Sequence, residues 1–286
     1  MGQRIAIVTD STADFPAGVA EKLGIRCVPV HVVVDGVDHL DGVTITPSEL
    51  LVHMKKGAEV VTRAAAPAAY ADLYDFLLAR YDRVISFHLS ARLSDCRESA
   101  GNALKLLDPA DAERVTVVDT CSVSIGQAMY TLMAVRYLKK HGRMEGMREA
   151  LGSAFASGVI QVVVDDLSWL KRGKKLGGLS AVLGGMLDIK PLLEMRDGGL
   201  ALVCKVRGMT RTLDEMVACA ARLRGEGALE VWVCHCDAEA SAFYLRNRLA
   251  DALGKEVHTI HVVEAGAAIS VNVGPGACCW GMVPLG

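Results

Sequence analysis

The chain has 286 residues, 51% hydrophobic and only 5% aromatic, so it can bury one large or two smaller aliphatic cores. Its formal net charge of -2 gives no overall pull toward nucleic acid or an anionic membrane. The N-terminus has no charged-then-apolar leader, and no apolar run reaches the roughly 18 residues of a spanning helix. The longest candidate, Leu179 to Leu193, is interrupted by Gly184, Gly185, Asp188 and Lys190. The expectation is a soluble cytoplasmic protein with no integral membrane segment.

The first predicted element is a strand over Arg4–Val8, an apolar run that stops in Thr9, Asp10, Ser11, Thr12 and Asp14. Runs of this kind read as buried parallel strands, and open α/β sheets place their ligand crevice at such carboxyl ends. Further strands are predicted over Arg26–Val34, Arg83–Phe87 and Arg114–Val118. Helices are predicted over Pro16–Leu23, Pro47–Lys56, Ala66–Ala79, Ser94–Leu107 and Ser124–His141, with Thr46 capping the second. This alternation predicts a parallel sheet with helices on both faces.

The second half differs in texture. A helix over Gly146–Ser157 leads to a strand over Val159–Val164, then a turn and short helix within Asp165–Gly173. Leu176 to Leu193 is apolar and punctuated by glycine, so it can pack closely or leave a slot that suits an alkyl chain. Strands over Pro191–Met195 and Leu200–Val206 flank Asp197-Gly198-Gly199, a hairpin turn signal. A helix over Thr210–Gly225, a strand over Leu229–His235, a helix over Ala238–Ala252 and a last strand over His258–Val263 follow. Gly274-Pro-Gly276 reads as a tight turn before an apolar tail. The boundary between halves falls near residues 142–160.

Four polar clusters end apolar runs: Thr9-Asp10-Ser11, Thr62-Arg63, Ser90 with Ser94, and Asp119-Thr120-Cys121-Ser122. Parallel strands would align them along one sheet edge, although helix capping explains any one of them alone. His88 ends the third strand, so Ser90, His88 and Asp119 could form an acyl hydrolase or transferase triad. No GxSxG elbow supports it, and neither a Walker loop nor a dinucleotide fingerprint is present. The nine cysteines are odd in number and lack a paired CxxC, which reads as reduced thiols. Cys234-His235-Cys236 has no second ligand pair at zinc spacing and reads as buried structural cysteines, so no metal is expected. Lys171-Arg172-Gly173-Lys174-Lys175 is either a solvated helix end or a docking patch for an acidic or phosphate-bearing partner.

In order and spacing, these motifs resemble the DegV family of bacterial fatty-acid-binding proteins along essentially the whole chain. Thr9 to Pro16 resembles TDSTADLP, and Asp41-Gly42 with Thr46-Pro-Ser-Glu resembles the next stretch. Thr62 occupies the threonine of TSQPS. Ser90 to Ala100 resembles SSKLSGTYQSA, and Val118-Asp119-Thr120 through Gly126 resembles VIDSxxxSxG. Asp165 to Gly173 resembles DDLxYLKKGGRI, Lys205-Val-Arg207 the KxR element, and Val273 to Ala277 HVGPGA.

The resemblance implies two α/β domains, 1–157 with carboxylate-binding hydroxyls and 158–286 holding the acyl chain in an apolar tunnel. It implies a long-chain fatty acid with its carboxylate at the domain junction, held by Thr62 and Ser94. Ser11, Ser122, Arg63 and Asn272 are further candidate contacts. It also implies a non-enzymatic carrier without a cofactor, which presents the acid to a separate dihydroxyacetone-kinase-like fatty-acid kinase that makes the acyl phosphate. Lys171, Arg172, Lys174 and Lys175 would then dock that partner. The chain departs from the family pattern at four places. Asn272 replaces the histidine of HVGPGA, Asp95 the glycine of SSKLSG, Arg63 the serine of TSQPS, and Lys175 the arginine of GGRI.

Overall fold

The computed structural model describes residues 3–175, 188–223, 228–257 and 259–285. The chain forms two compact units, Met1–Leu151 with Gly266–Ala268, and Gly152–Ala265 with Ile269–Gly286. The glycine-punctuated stretch up to Leu187 lies outside the described residues.

The first unit opens with β1 (Ile5–Asp10), α1 (Val19–Leu23), β2 (Arg26–Val28), β3 (His31–Val34), β4 (Val37–Leu40), α2 (Pro47–Lys55) and β5 (Val60–Arg63). It continues with α3 (Pro67–Leu78), β6 (Arg83–His88), α4 (Cys96–Ala103), α5 (Pro109–Ala112), β7 (Val115–Asp119) and α6 (Ile125–His141). Strands β2-β1-β6-β7 make a wholly parallel sheet. The apolar stretches that predicted it are buried on both faces: Val8, Val84, Ile85 and Phe87 are wholly inaccessible. Tyr70, Tyr74 and Leu77 of α3 pack beneath with Ala100 and Ala103 of α4.

The predicted strand Arg26–Val34 is two strands in two sheets. Pro29 lacks an N–H, so it cannot continue the ladder, and the chain leaves the parallel sheet there. Beyond it β3 joins a three-stranded antiparallel sheet, β4-β3-β5. Thr62-Arg63 therefore sits in this small sheet and not at the edge of the parallel one, which corrects the expected alignment of the four polar clusters. Helix α2 begins as predicted: the Thr46 hydroxyl accepts from Glu49 N–H, and the Glu49 carboxylate accepts from Thr46 N–H.

The second unit contains β8 (Val159–Val163), α8 (Ser168–Arg172), β9 (Ile189–Arg196), β10 (Gly199–Arg207), α9 (Met209–Leu223), β11 (Leu229–Cys236), α10 (Glu239–Leu253), β12 (Ile260–Glu264) and β13 (Ala277–Pro284). Helices α7 (Met147–Ala156) and α11 (Ala267–Val273) complete the order. The six-stranded sheet runs β10-β9-β8-β13-β11-β12, antiparallel except for β11 with β12. Asp197 (φ 49°) and Gly198 (φ 76°) close the β9–β10 hairpin, as the two left-handed residues of a tight turn must. The stretch read as an apolar tail is β13, a central strand paired on both sides, with Trp280 wholly buried.

Candidate functional site

The carboxyl end of β1 is a buried polar cluster. Asp10 Oδ2 lies 2.7 Å from His88 Nδ1, and His88 Nε2 lies 2.7 Å from Ser86 Oγ. Asp10, Ser86 and His88 are all wholly buried. The other Asp10 oxygen accepts from the Thr12 hydroxyl, from Thr12 N–H at 3.2 Å and from Gln127 Nε2 at 3.2 Å. Gln127 also donates to Thr9 Oγ1 at 3.1 Å and accepts from the Thr12 hydroxyl at 2.8 Å. Burial alone would raise the Asp10 carboxyl; the bond and charge of His88, then Thr12 and Gln127, outweigh it and hold the group below its ordinary value.

This geometry corrects the alternative triad. Both His88 ring nitrogens are taken by Asp10 and Ser86, not by Asp119 and Ser90. Ser90 Oγ accepts from Arg92 N–H at 3.2 Å, while Asp119 accepts from Ala91 and Cys121 N–H. Ser86, His88 and Asp10 have the hydrogen-bond order of a hydrolytic triad, but a wholly buried serine between two packed layers offers no path for an acyl ester. The cluster is built to fix the end of the strand.

A pair of carboxylates follows. Asp14 accepts from Gly266 N–H at 2.8 Å and from the Ser124 hydroxyl at 2.5 Å. Asp41 is 3% exposed, and among the described residues one of its carboxylate oxygens has no hydrogen-bond partner. Burial raises the Asp41 carboxyl above its ordinary value against the lowering contributions of Ser11 and the Ala268 and Ala267 amides, and Asp10 adds to the rise. Ser124 is held at φ 57° by its bonds to Asp14 and to the Thr12 carbonyl, a conformation that costs energy in a residue with a Cβ.

Each predicted ligand contact has a definite place. Thr62 pairs with Val32 across β3–β5 and shares its face with Val32 and Val34, both buried. Among the described residues the Thr62 hydroxyl has no hydrogen-bond partner. Arg63, one residue on, points to the opposite face. There it meets Asp38 Oδ2 at 3.1 Å, and Asp38 also receives His31 Nδ1 at 2.9 Å. Thr62 and Arg63 therefore address different faces of the strand.

Ser94 sits two residues before α4. Its hydroxyl accepts from Cys96 N–H at 3.3 Å and donates to Cys96 Sγ at 3.3 Å. Asp95, at the cap position, makes no side-chain cap bond and is exposed. The Ser99 hydroxyl of α4 donates to the Ala65 carbonyl, which ties this helix to the chain leaving β5. Ser11 Oγ accepts from Val30 N–H at 3.0 Å. The Ser122 hydroxyl is buried without a partner among the described residues, while its carbonyl accepts from Ser90 N–H at 2.8 Å.

In the second unit the basic run is partly occupied. The Arg172 guanidinium lies 3.9 Å above the Trp169 ring and donates to Ser168 Oγ at 3.0 Å. Lys171 and Lys174 are exposed. Asn272 packs its amide against Gly173, where any Cβ would strike its oxygen. A Cβ at Gly274 would collide with the Trp169 indole, and one at Gly276 would lie 2.7 Å from Asp165 Cβ. The glycines of the Gly-Pro-Gly turn thus let it lie flush against the Asp165–Lys175 segment. On β11, Cys234 and Cys236 face one side and His235 the other. Among the described residues no metal-binding group of His, Cys, Asp and Glu is gathered. Burial, aided by Cys236, pushes the Cys278 thiol up to about 12.

A family model described as an uncharacterised protein of the DegV family matches residues 4–285. The chain belongs to the DegV family. A DegV domain-containing protein of Deinococcus radiodurans is 31% identical over 284 residues, covering 98% of this chain and 99% of that one. A Thermus thermophilus DegV protein, solved in a study of its fatty acid binding, superposes with a TM-score of 0.92 at 31% identity, over 99% of this chain and 100% of that one. A Thermotoga maritima protein whose structure is described as revealing a fatty acid binding function gives a TM-score of 0.84 at 26% identity, over 99% and 100% of the two chains.

In this DegV chain the sequence pointed to the hydroxyls but missed what surrounds them. Gln127 bridges Asp10, Thr9 and Thr12, and the Tyr70 ring of α3 stands edge-on to His88. Among the described residues no helix is long and apolar enough to cross a membrane.

Proposed function

We propose that this DegV protein binds a long-chain fatty acid through the hydroxyls of Thr62 and Ser94 and delivers it to a separate fatty-acid kinase, which forms the acyl phosphate. The observation that carries the reading is the Thr62 hydroxyl, without a hydrogen-bond partner among the described residues and on the same face of β5 as buried Val32 and Val34, in a chain that superposes on the Thermus fatty-acid-binding relative at a TM-score of 0.92. Ser94 supports it from the start of α4, where the helix dipole favours an anion. Arg63 is paired with Asp38 on the other face of the strand, so the hydroxyls carry head-group recognition in this reading.

The energetics divide the work. Burying about 14 methylenes at about 0.8 kcal/mol each yields roughly 11 kcal/mol gross. Association removes about 4–15 kcal/mol of that. The acyl chain therefore supplies affinity, while each hydroxyl bond to the charged group, at about 1.5–3 kcal/mol, selects the orientation.

Native mass spectrometry of the gently purified protein should show a co-purified acyl chain, and the stripped protein should take up palmitate or oleate. Failure of the stripped protein to bind either acid would remove the reading. Loaded protein offered to a purified fatty-acid kinase should yield acyl phosphate, and Lys171→Glu with Lys174→Glu should slow that transfer without changing palmitate affinity. Binding without transfer would remove the delivery half alone.

A further inference from the structure

Two strands in the middle of the second sheet bring thiols together. β11 and β13 pair antiparallel, and their register sets Cys234 directly opposite Cys279, with Cys236 opposite Ala277. Val233, Trp280 and Cys278 belong to the face that packs on Met216 of α9 and Leu245 of α10. Alternation therefore turns Cys234, Cys236 and Cys279 to the other face of the sheet, away from Cys278. Cys234 and Cys236 are buried, while Cys279 is half-buried. All four are thiols in the structure.

Directly opposite residues of an antiparallel pair have Cα atoms about 4.5–5.5 Å apart, inside the roughly 4.4–6.8 Å that a disulfide spans. Their Cβ atoms stand about 4.5–5.5 Å apart, against about 3.5–4.5 Å in a disulfide. Closure therefore asks the strands for only a small approach, and it leaves the bond strained and readily reduced. Among the thiols of these two strands no other pairing does as well. Cys236 lies diagonal to Cys279, about 7–8 Å away. It lies roughly 6.6 Å along its own strand from Cys234, with its Cβ pointing parallel. Cys278 is on the opposite face, where burial, aided by Cys236, pushes its thiol up to about 12 and so keeps it protonated and unreactive.

We propose that Cys234 and Cys279 form a redox-modification site, which peroxide closes into a reversible cross-strand disulfide. The half-buried Cys279 reacts first. Its sulfur attacks one peroxide oxygen, the O–O bond breaks, and water leaves with the thiol proton, giving a sulfenic acid. The Cys234 sulfur then attacks the sulfenic sulfur. The S–S bond forms, the S–O bond breaks, and a second water carries off the Cys234 proton. One peroxide is reduced to two waters while the two thiols lose two electrons. A dithiol reductant reverses the change by thiol–disulfide exchange. The pairing of β11 with β13 carries this assignment independently of the fatty-acid reading.

The test uses the full chain, first reduced and then exposed to a small molar excess of hydrogen peroxide at neutral pH. Remaining thiols are blocked with N-ethylmaleimide, and the protein is mapped by mass spectrometry without reduction. The expected product is a linked peptide pair carrying Cys234 and Cys279, two hydrogens lighter than the separate peptides and released by dithiothreitol. Cys236→Ser should leave that link intact. In Cys234→Ser, where the second step is blocked, Cys279 should stop at the sulfenic acid and be trapped by dimedone. Linkage of Cys279 to Cys236 in the parental chain, or recovery of both Cys234 and Cys279 as maleimide adducts, would overturn the proposal. So would sulfinic acid at Cys279 with Cys234 still reduced. The parental map decides by itself, so a variant that fails to fold does not shield the proposal.

Discussion

His88 Nδ1 and Asp10 Oδ2 stand 2.7 Å apart with neither side chain exposed to solvent. The pair joins β6 to β1 at the end of the sheet where the hydroxyl clusters gather. Removing one partner of a buried hydrogen-bonded pair strands the other, at about 3–5 kcal/mol. His88→Ala should therefore lower the urea unfolding free energy by that amount. Because the Asp10 carboxyl is held below its ordinary value, its contribution is fully present above the unfolded carboxylate pKa. It is lost only as pH falls through the lower folded value. Urea titrations from neutral to strongly acidic pH should show Asp10→Asn destabilised at neutrality, with the gap to the parent closing only in acid. A constant gap would remove this account.

Asp41 has the opposite sign. Burial leads the effects that raise its carboxyl, and its proximity to Asp10 adds to them. Its protonated form is the one the folded state favours, so that stability is present below about pH 3.9, the unfolded value, and is lost as pH rises through the higher folded value. Asp41→Asn keeps an acceptor for the Ala267 and Ala268 amides and cannot ionise. Its melting temperature should exceed the parent's at pH 7 and converge with it below pH 4. A deficit at pH 7 would show that the charge is needed.

Three glycines give a graded series. Gly274 has φ 72° and no room for a methyl beside Trp169; Gly42 has φ 71° and open space; Gly152 lies inside α7 with nothing near and ordinary helical φ. Alanine should cost more than about 3 kcal/mol at Gly274, where strain and collision add. It should cost about 1 kcal/mol at Gly42 and gain about 0.5–1 kcal/mol at Gly152. Chemical denaturation of the three variants checks the order, and a tolerated Gly274→Ala would mean that the flush packing on Trp169 is dispensable.

Thr62 and Arg63 separate by strand alternation. Thr62→Val keeps shape and β-propensity but removes the hydroxyl, and should weaken palmitate by about ten-fold or more, the worth of a bond to a charged group. Arg63→Ala should change affinity by less than about two-fold, since its guanidinium belongs to Asp38. A large loss in Arg63→Ala would place the cation at the head group instead.

Much of the first unit was legible because its apolar runs stop abruptly in Thr, Ser and Asp. β1, β6 and β7 need no more than that to be read as parallel strands. The small sheet was not legible: β4 and β5 are four residues each, too short for periodicity to rise above chance. Thr62 and Ser94 were found through family motifs, since a lone threonine and a capping serine carry no signal of their own. Gln127 could not be paired with Thr9 and Asp10 in sequence, because more than a hundred residues separate them and only the fold brings α6 to the end of β1. The last strand was hidden by its own flank. Gly274-Pro-Gly276 reads as a terminator, yet Ala277 to Val283 is the continuous apolar run expected of a strand buried on both faces.

The place of β13 governs when the second unit can come into being. It lies between β8 and β11, so the residues laid down before it form two half-sheets with unsatisfied edges facing a gap. During synthesis that gap stays open until Ala277–Pro284 has cleared the ribosome. The nascent chain therefore carries unpaired strand edges from the time β8 is made at Val159 until Ala277–Pro284 arrives to close them.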